Sequence, residues 1–349
     1  MNFSTLSDFT QQFQQKCSEY NKLTEATVSE IKTWLVNELA PNGVRVVLEN
    51  YHRIKILRQI ESDQDIPIRL RLVLSTNRHK ADFSNEFVRY CNGLVLDIVE
   101  NNNNINVNVL VIPMRDFNNK YSAIDIESNL REDKYNVYPI YDGTTCNMYY
   151  DPRVVVTSVV VDNNIQTETH TIGSWMFSTK NTYDAGNNEW RGAKFSDVLS
   201  DVFSKYSSFN MDNLDKNITY SIGFKHPAHH PFKQPAEWVS DVNKNQEFNW
   251  IMSAWLIKAT DKTGQDVTET VNVLPVQKPI TIEWEPIRYK QLNRMCKTAL
   301  TEYLKSDQIV LGFILRSNNE STGAYSDILI ESSLFTEIKK CIYDLPFNP

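Results

Sequence analysis

The stretch Val137-Tyr138-Pro139-Ile140-Tyr141-Asp142-Gly143-Thr144 decides how this chain is read. Its first five residues are β-branched, aromatic or proline, a composition that suits a strand better than a helix. Asp-Gly is a turn signal, and residues 144–150 resume the strand pattern. Taken alone, these residues read as an ordinary hairpin, with Asp142 placed to accept from backbone amides of its turn.

Outward from this stretch, strands dominate the second part of the chain. They are expected at 136–141, 145–150, 153–161, 168–178, 218–225, 250–260, 279–284, 309–316 and 325–331, with helices at 194–206, 287–304 and 333–344. In the first part, Leu6, Phe9, Phe13, Cys17 and Tyr20 make a helical stripe behind Ser7 or Asp8 as cap. Val28, Ile31, Leu35 and Leu39 make a second, with Thr24 or Thr27 as cap, and Pro41-Asn42-Gly43 ends it. Residues 45–57 and 69–74 read as strands, with a helix as the alternative for the first, and 93–99 with 105–112 as a hairpin around the asparagine run 101–104. The order of elements is α+β with mostly antiparallel neighbours. A division into residues 1–125 and 126–349 follows from it.

The 349 residues carry a net charge of −7, with 41% hydrophobic and 23% charged residues, ordinary values for a globular chain with ample core. That charge argues against a protein whose main business is gripping nucleic-acid phosphates. Arg45, Arg53, Lys55, Arg58, Arg69, Arg71, Arg78 and Lys80 are read as solvated strand and loop residues. No run of apolar residues is long enough to span a membrane, and the N-terminus shows no secretory pattern. Cys17, Cys91, Cys146, Cys296 and Cys341 are scattered and odd in number, which reads as an intracellular chain with reduced thiols. The richness in Asn, Ile, Tyr and Lys is a bias shared with large DNA viruses and some protists.

Further segments recur in a fixed order. They are Arg89-Tyr90-Cys91-Asn92-Gly93-Leu94-Val95-Leu96-Asp97, Ile112-Pro113-Met114-Arg115-Asp116-Phe117-Asn118-Asn119-Lys120 and Phe177-Ser178-Thr179-Lys180-Asn181. Then come Tyr220-Ser221-Ile222-Gly223-Phe224-Lys225-His226-Pro227, Val310-Leu311-Gly312-Phe313-Ile314-Leu315-Arg316 and Ile328-Leu329-Ile330-Glu331-Ser332-Ser333-Leu334-Phe335. Together with Ile140-Tyr141-Asp142-Gly143 the set resembles the covalent nucleotidyltransferases, a superfamily of RNA ligases, DNA ligases and mRNA-capping guanylyltransferases, and is most similar to the adenylation domain of T4-type RNA ligases. The resemblance spans roughly residues 85–345. It implies two antiparallel sheets that enclose a nucleotide cleft, with flanking helices.

The resemblance also implies where the chemistry should sit, and this chain departs there. The lysine that takes up the nucleotide aligns with Ile140, which has no lone pair to attack with. The ribose carboxylate aligns with Gly223, the metal-placing glutamate with Leu311, and the two α-phosphate lysines with Leu329 and Glu331. Phosphoryl transfer works by positioning and by cations that neutralise developing charge. Asp142, Gly143, Lys180, Lys225 and Arg316 remain as a residual cleft. The expectation is a catalytically inactive member without cofactor or metal, acting as a scaffold or interaction subunit with protein partners, in the cytoplasm, nucleus or a viral particle or factory. Self-association stays open. The alternatives are a non-catalytic RNA or nucleotide binder that uses the residual cleft, or an enzyme with a relocated lysine, Lys134 or Lys225. The chain ends about fifteen residues after the last matching segment, so no C-terminal OB-fold is expected.

Two other groups are weighed. His226, His229 and His230 lie in the segment 225–231, whose two prolines, Pro227 and Pro231, exclude the helix of an H-E-x-x-H zinc site; a loop at the cleft mouth is expected. Trp175, Tyr183, Trp190, Trp238, Trp250, Trp255 and Trp284 are read as core or interface residues.

Overall fold

The computed structural model describes residues 3–49, 69–77, 80–101, 103–116, 135–141, 143–152, 155–161, 164–170, 173–186, 188–190, 193–229, 252–272, 274–275, 280–282, 310–319 and 324–331. The expected strand portion 50–57 and the expected helices 287–304 and 333–344 lie outside these residues. Among the described residues the architecture is α+β and every paired strand is antiparallel.

Helices α1 (Leu6–Cys17) and α2 (Glu25–Leu39) come first. Strands β1 (Val44–Glu49), β2 (Arg69–Thr76), β3 (Asn92–Asn101) and β4 (Asn104–Val111) then form a sheet in that order, with α3 (Glu86–Tyr90) before β3. α1 is capped by Thr5, whose hydroxyl accepts from the Asp8 amide, rather than by Ser7 or Asp8. Asp8 sits instead in the first turn, where the helix dipole favours a carboxylate. Thr24 caps α2 through the Thr27 amide. Phe9, Phe13 and Cys17 of α1 and Val28, Ile31, Leu35 and Leu39 of α2 bury against Leu70, Leu72, Leu74, Leu94, Leu96 and Ile98 on one face of this sheet.

Eight of the remaining described strands divide between two more four-stranded sheets. One has the order β13-β12-β6-β9 and the other β14-β5-β15-β16. Here β5 is Tyr135–Tyr141, β6 Thr144–Asp151, β9 Ser174–Ser178, β12 Ile218–Lys225, β13 Ser253–Asp261, β14 Ile280–Ile282, β15 Val310–Asn319 and β16 Ala324–Glu331. β7 (Val155–Val161) and β8 (Asn164–His170) pair with each other, as do the short β10 (Glu189–Trp190) and β11 (Ala193–Lys194). The single strand expected at 168–178 is therefore two, β8 and β9, which pair with different partners.

Gly143 does not close a hairpin. β5 and β6 belong to different sheets, and the chain between them passes from one sheet to the other. Periodicity reports extended backbone and not pairing, so the turn signal alone could not reveal this. Pro139 lies within β5, opposite Phe313 of β15.

One face of the β13-β12-β6-β9 sheet is apolar. Cys146, Met148, Phe177, Ile222, Phe224 and Leu256 pack on Phe195, Val198, Leu199, Val202 and Phe203 of helix α4 (Phe195–Ser204). The other face meets the first sheet, where Tyr149 packs with Val73, Val95, Leu110, Val111 and Tyr183. Arg71 sits in this joint. Its guanidinium forks onto the Asp151 carboxylate, and its Nε donates to Asp97 at 3.3 Å. Arg71 is 1% exposed and Asp151 0%, so the reading of Arg71 as a solvated residue is corrected. Its partner lies 80 residues away, out of reach of local pattern. Among the described residues no helix is long and apolar enough to cross a membrane.

Candidate functional site

Strand pairing collects four of the five substituted positions, Ile140, Leu311, Leu329 and Glu331, on the β14-β5-β15-β16 sheet. Ile140 stands opposite Gly312, and Gly312 opposite Glu331, so the three form one row across β5, β15 and β16. The next row is Tyr138, Ile314 and Leu329. Residues two apart on a strand share a face, so positions 140, 329 and 331 share one side of the sheet. The register shifts between Val310, opposite Tyr141, and Gly312, opposite Ile140, which leaves Leu311 as the extra residue of a bulge beside Ile140. Arg316 lies further along β15, opposite Asn136 and Asp327. Asp142 and Lys134 lie outside the described residues.

Gly223 belongs to the other sheet, opposite Thr145 on β6 and Trp255 on β13. The Trp255 indole lies directly on the Gly223 backbone. A Cβ at position 223 would stand 2.2 Å from Cε2 and 2.3 Å from Nε1 of that ring. A Cβ at Gly143 would stand 2.8 Å from its Cη2 and 2.5 Å from the Phe224 carbonyl oxygen. Tyr141 meets the same indole edge-on, with centroids 5.5 Å apart. One buried tryptophan thus fills the space between the end of β5, Gly143 and Gly223. The place where the resemblance expects a ribose carboxylate is occupied by an aromatic ring.

The face of this sheet that carries Gly223 is polar and buried. Lys225 is two residues beyond it, on the same side, and is 8% exposed. Lys258, Ser221, Asn147 and Ser178 form a row across β13, β12, β6 and β9. Ser221 donates from Oγ to Asn147 Oδ1 at 2.8 Å. Lys258 is 7% exposed, with Asp266 Oδ2 3.7 Å from its Nζ. Lys180 follows the edge strand β9, and its backbone packs against Gly93. Gly93 has φ +107, and a Cβ there would stand 2.9 Å from the Thr179 carbonyl oxygen. Lys258, Ser221, Asn147 and Ser178 escaped sequence reasoning because their conjunction is made by pairing between four strands. The only local signal was alternation, which puts Ser221, Gly223 and Lys225 on one side.

Both ring nitrogens of His226 face protein groups. Its Nδ1 accepts from the Ala228 amide at 3.1 Å, and its Nε2 faces Asp201 Oδ2 at 3.6 Å. Burial holds its pKa below the usual histidine value despite that carboxylate. Among the described residues no three His, Cys, Asp or Glu side chains converge to hold a metal. Cys17, Cys91 and Cys146 are buried free thiols. Burial pushes the Cys17 thiol up to about 12, so it carries little thiolate at neutral pH.

No protein-family model and no curated protein matches this chain. Two of the solved structures similar to it are a putative ATP-dependent DNA ligase from Aquifex aeolicus and an archaeal ATP-dependent RNA ligase. The first is 13% identical, with a TM-score of 0.42, over 90% of this chain and 68% of the ligase. The second is 8% identical, with a TM-score of 0.41, over 90% of this chain and 66% of the ligase.

Proposed function

We propose that this chain is a non-catalytic member of the covalent nucleotidyltransferase superfamily that serves as a scaffold or interaction subunit. The observation that carries the reading is the row of Ile140, Gly312 and Glu331, beside a cleft corner filled by Trp255 on Gly223. At position 140 a hydrocarbon side chain replaces an amine, so no phosphoramidate can form there. Glutamate at 331 and leucine at 329 bring no cation to a triphosphate, and developing charge would go unneutralised on that sheet. The protein then acts through its surface, bound to protein partners in an intracellular assembly, viral or RNA-processing. Incubation with labelled ATP or GTP and Mg²⁺, followed by denaturing electrophoresis, tests the first half: no covalent label is expected. Affinity purification of the tagged full chain from its own cells tests the second, where a stoichiometric protein partner is expected.

A second reading has one observation in its favour. Lys225 and Lys258 lie buried on the face of the β13-β12-β6-β9 sheet opposite to the one that packs on α4, with the half-buried Lys180 beyond its edge strand. This cationic floor supports non-covalent binding of an RNA end or a nucleotide. Salt-dependent binding of a labelled oligonucleotide by a protein that takes up no covalent label would favour it over the scaffold.

A further inference from the structure

We propose that Trp255 is an autoinhibitory side chain. Its indole is the resident occupant of a flat slot framed by Gly143, Gly223 and Tyr141, and the slot takes a free planar bicyclic aromatic ring once that indole is removed. This goes beyond both readings above: it concerns what the closed corner is shaped to hold, and it needs no cation.

Three elements frame the ring. Trp255 of β13 stands opposite Gly223 of β12, and Thr145 of β6 completes the row. The indole lies down across the neighbouring strand. Its Cε2, Nε1 and Cζ2 come within 2.2–2.5 Å of where a Cβ at 223 would stand. The far edge of the ring, Cη2, lies 2.8 Å from where a Cβ at 143 would stand. Tyr141, at the end of β5, meets the indole at 80° with centroids 5.5 Å apart. Aromatic rings cover strand glycines in other sheets too. This one differs in meeting a second glycine, which lies on the segment that crosses between the two sheets.

The slot does not depend on its occupant for its walls. Gly223 is paired on both sides, to β6 and to β13, so its backbone is fixed by the ladder. Gly143 abuts the Phe224 carbonyl, whose oxygen would lie 2.5 Å from a Cβ there. Backbone held in this way collapses only partly into a space left by a side chain, and an apolar cavity of that kind stays open to an aromatic guest. The slot also has a mouth. Trp255 is 3% exposed, but Gly143 at its far edge and Thr145 at the end of its row are exposed. A small ring therefore reaches the slot from solvent on the side away from the Trp255 backbone.

The class of ligand follows from these walls. They are bare backbone, a carbonyl oxygen and the ring of Tyr141. Two fused flat rings fill the outline of the indole and restore the edge-to-face contact that aromatic pairs prefer. A puckered saturated ring does neither.

The test is differential scanning calorimetry of the full chain with indole and, as a non-planar control, cyclohexanol, each at millimolar concentration. Indole should raise the Tm of Trp255→Gly by about 3 °C or more, leave wild type unmoved, and act more strongly than cyclohexanol. Gly223→Ala placed in the Trp255→Gly background sets a methyl on the slot floor and should abolish the indole effect, which locates the binding. If Trp255→Gly shows no unfolding transition alone, a transition that appears with indole supports the slot by mass action. Trp255→Ala, which keeps a Cβ on β13, is the second variant. The proposal is overturned if neither Trp255 variant gains stability from indole, if indole shifts wild type equally, or if cyclohexanol stabilises as well. Such a failure leaves the non-catalytic reading standing, since Ile140 is untouched, whereas a covalent nucleotide label would end that reading without moving the indole result.

Discussion

Gly223→Ala is the smallest change that probes the filled cleft corner. The added methyl carbon would stand 2.2–2.5 Å from three atoms of the Trp255 indole, well inside van der Waals contact. The ring has little room to retreat. Trp255 is 3% exposed, Tyr141 abuts it at 5.5 Å, and Gly143 lies under its far edge. Overpacking of this kind costs about 1–3 kcal/mol. Trp255→Ala alone should cost about 3–5 kcal/mol, the loss for a large buried aromatic. With the ring gone, the methyl at 223 meets open space. The double variant should then be no less stable than Trp255→Ala, so the two changes couple by the full overpacking cost. Urea denaturation followed by circular dichroism, with wild type, both single variants and the double variant, measures all four corners of the cycle. Refutation would be a Gly223→Ala protein as stable as wild type, or strictly additive losses. In either case the indole does not rest on Gly223, and the argument that this corner is closed to a ligand fails.

Three further outcomes are expected. Asp151→Asn removes the carboxylate that Arg71 forks onto and leaves only Asp97 beside the buried guanidinium, so stability should fall, by at most about 3–5 kcal/mol; a loss under about 1 kcal/mol in a chemical melt would show that the joint between the sheets does not depend on it. Gln14 brackets the edge strand β4, accepting from the Val107 amide at 2.7 Å and donating to the Ile105 carbonyl at 2.9 Å, so Gln14→Ala should cost about 1–3 kcal/mol and speed amide exchange at Val107. Lys262 donates to the Leu110 carbonyl, and burial lowers its pKa to about 8; between about pH 8 and the ordinary lysine value the unfolded chain binds the extra proton, so stability rises with pH across that window, and Lys262→Met should remove the rise, as seen by comparing the two proteins' urea midpoints at pH 7.5 and 10.

The parts of the fold that local chemistry controls were legible. Phe9, Phe13 and Cys17 announce α1, and Val28, Ile31, Leu35 and Leu39 announce α2, because a helix returns to the same face every three or four residues. β12 was placed at 218–225, as observed. What pairing controls was not legible. Gly143 read as a hairpin turn because nothing in a sequence says that the strand before it and the strand after it join different sheets. Arg71 read as solvated because its carboxylate lies in another sheet. The same limit hid the buried polar row of the β13-β12-β6-β9 sheet. Lys258, Ser221, Asn147 and Ser178 sit far apart in the chain and become one row only through three strand pairings. Trp255 read as core, which it is, but its seat on Gly223 depends on register. The substituted positions Ile140, Leu311, Leu329 and Glu331 were named from resemblance, and register places them on neighbouring strands of one sheet.

The central claim is that this chain carries no amine able to take up a nucleotide. Intact-protein mass spectrometry after incubation of the full chain with ATP or GTP and Mg²⁺, quenched at alkaline pH to preserve a phosphoramidate, addresses it directly. The unmodified mass alone is expected. A mass increase equal to AMP or GMP that disappears on acid treatment would contradict the account, and its loss in Lys225→Ala would show which side chain had taken over.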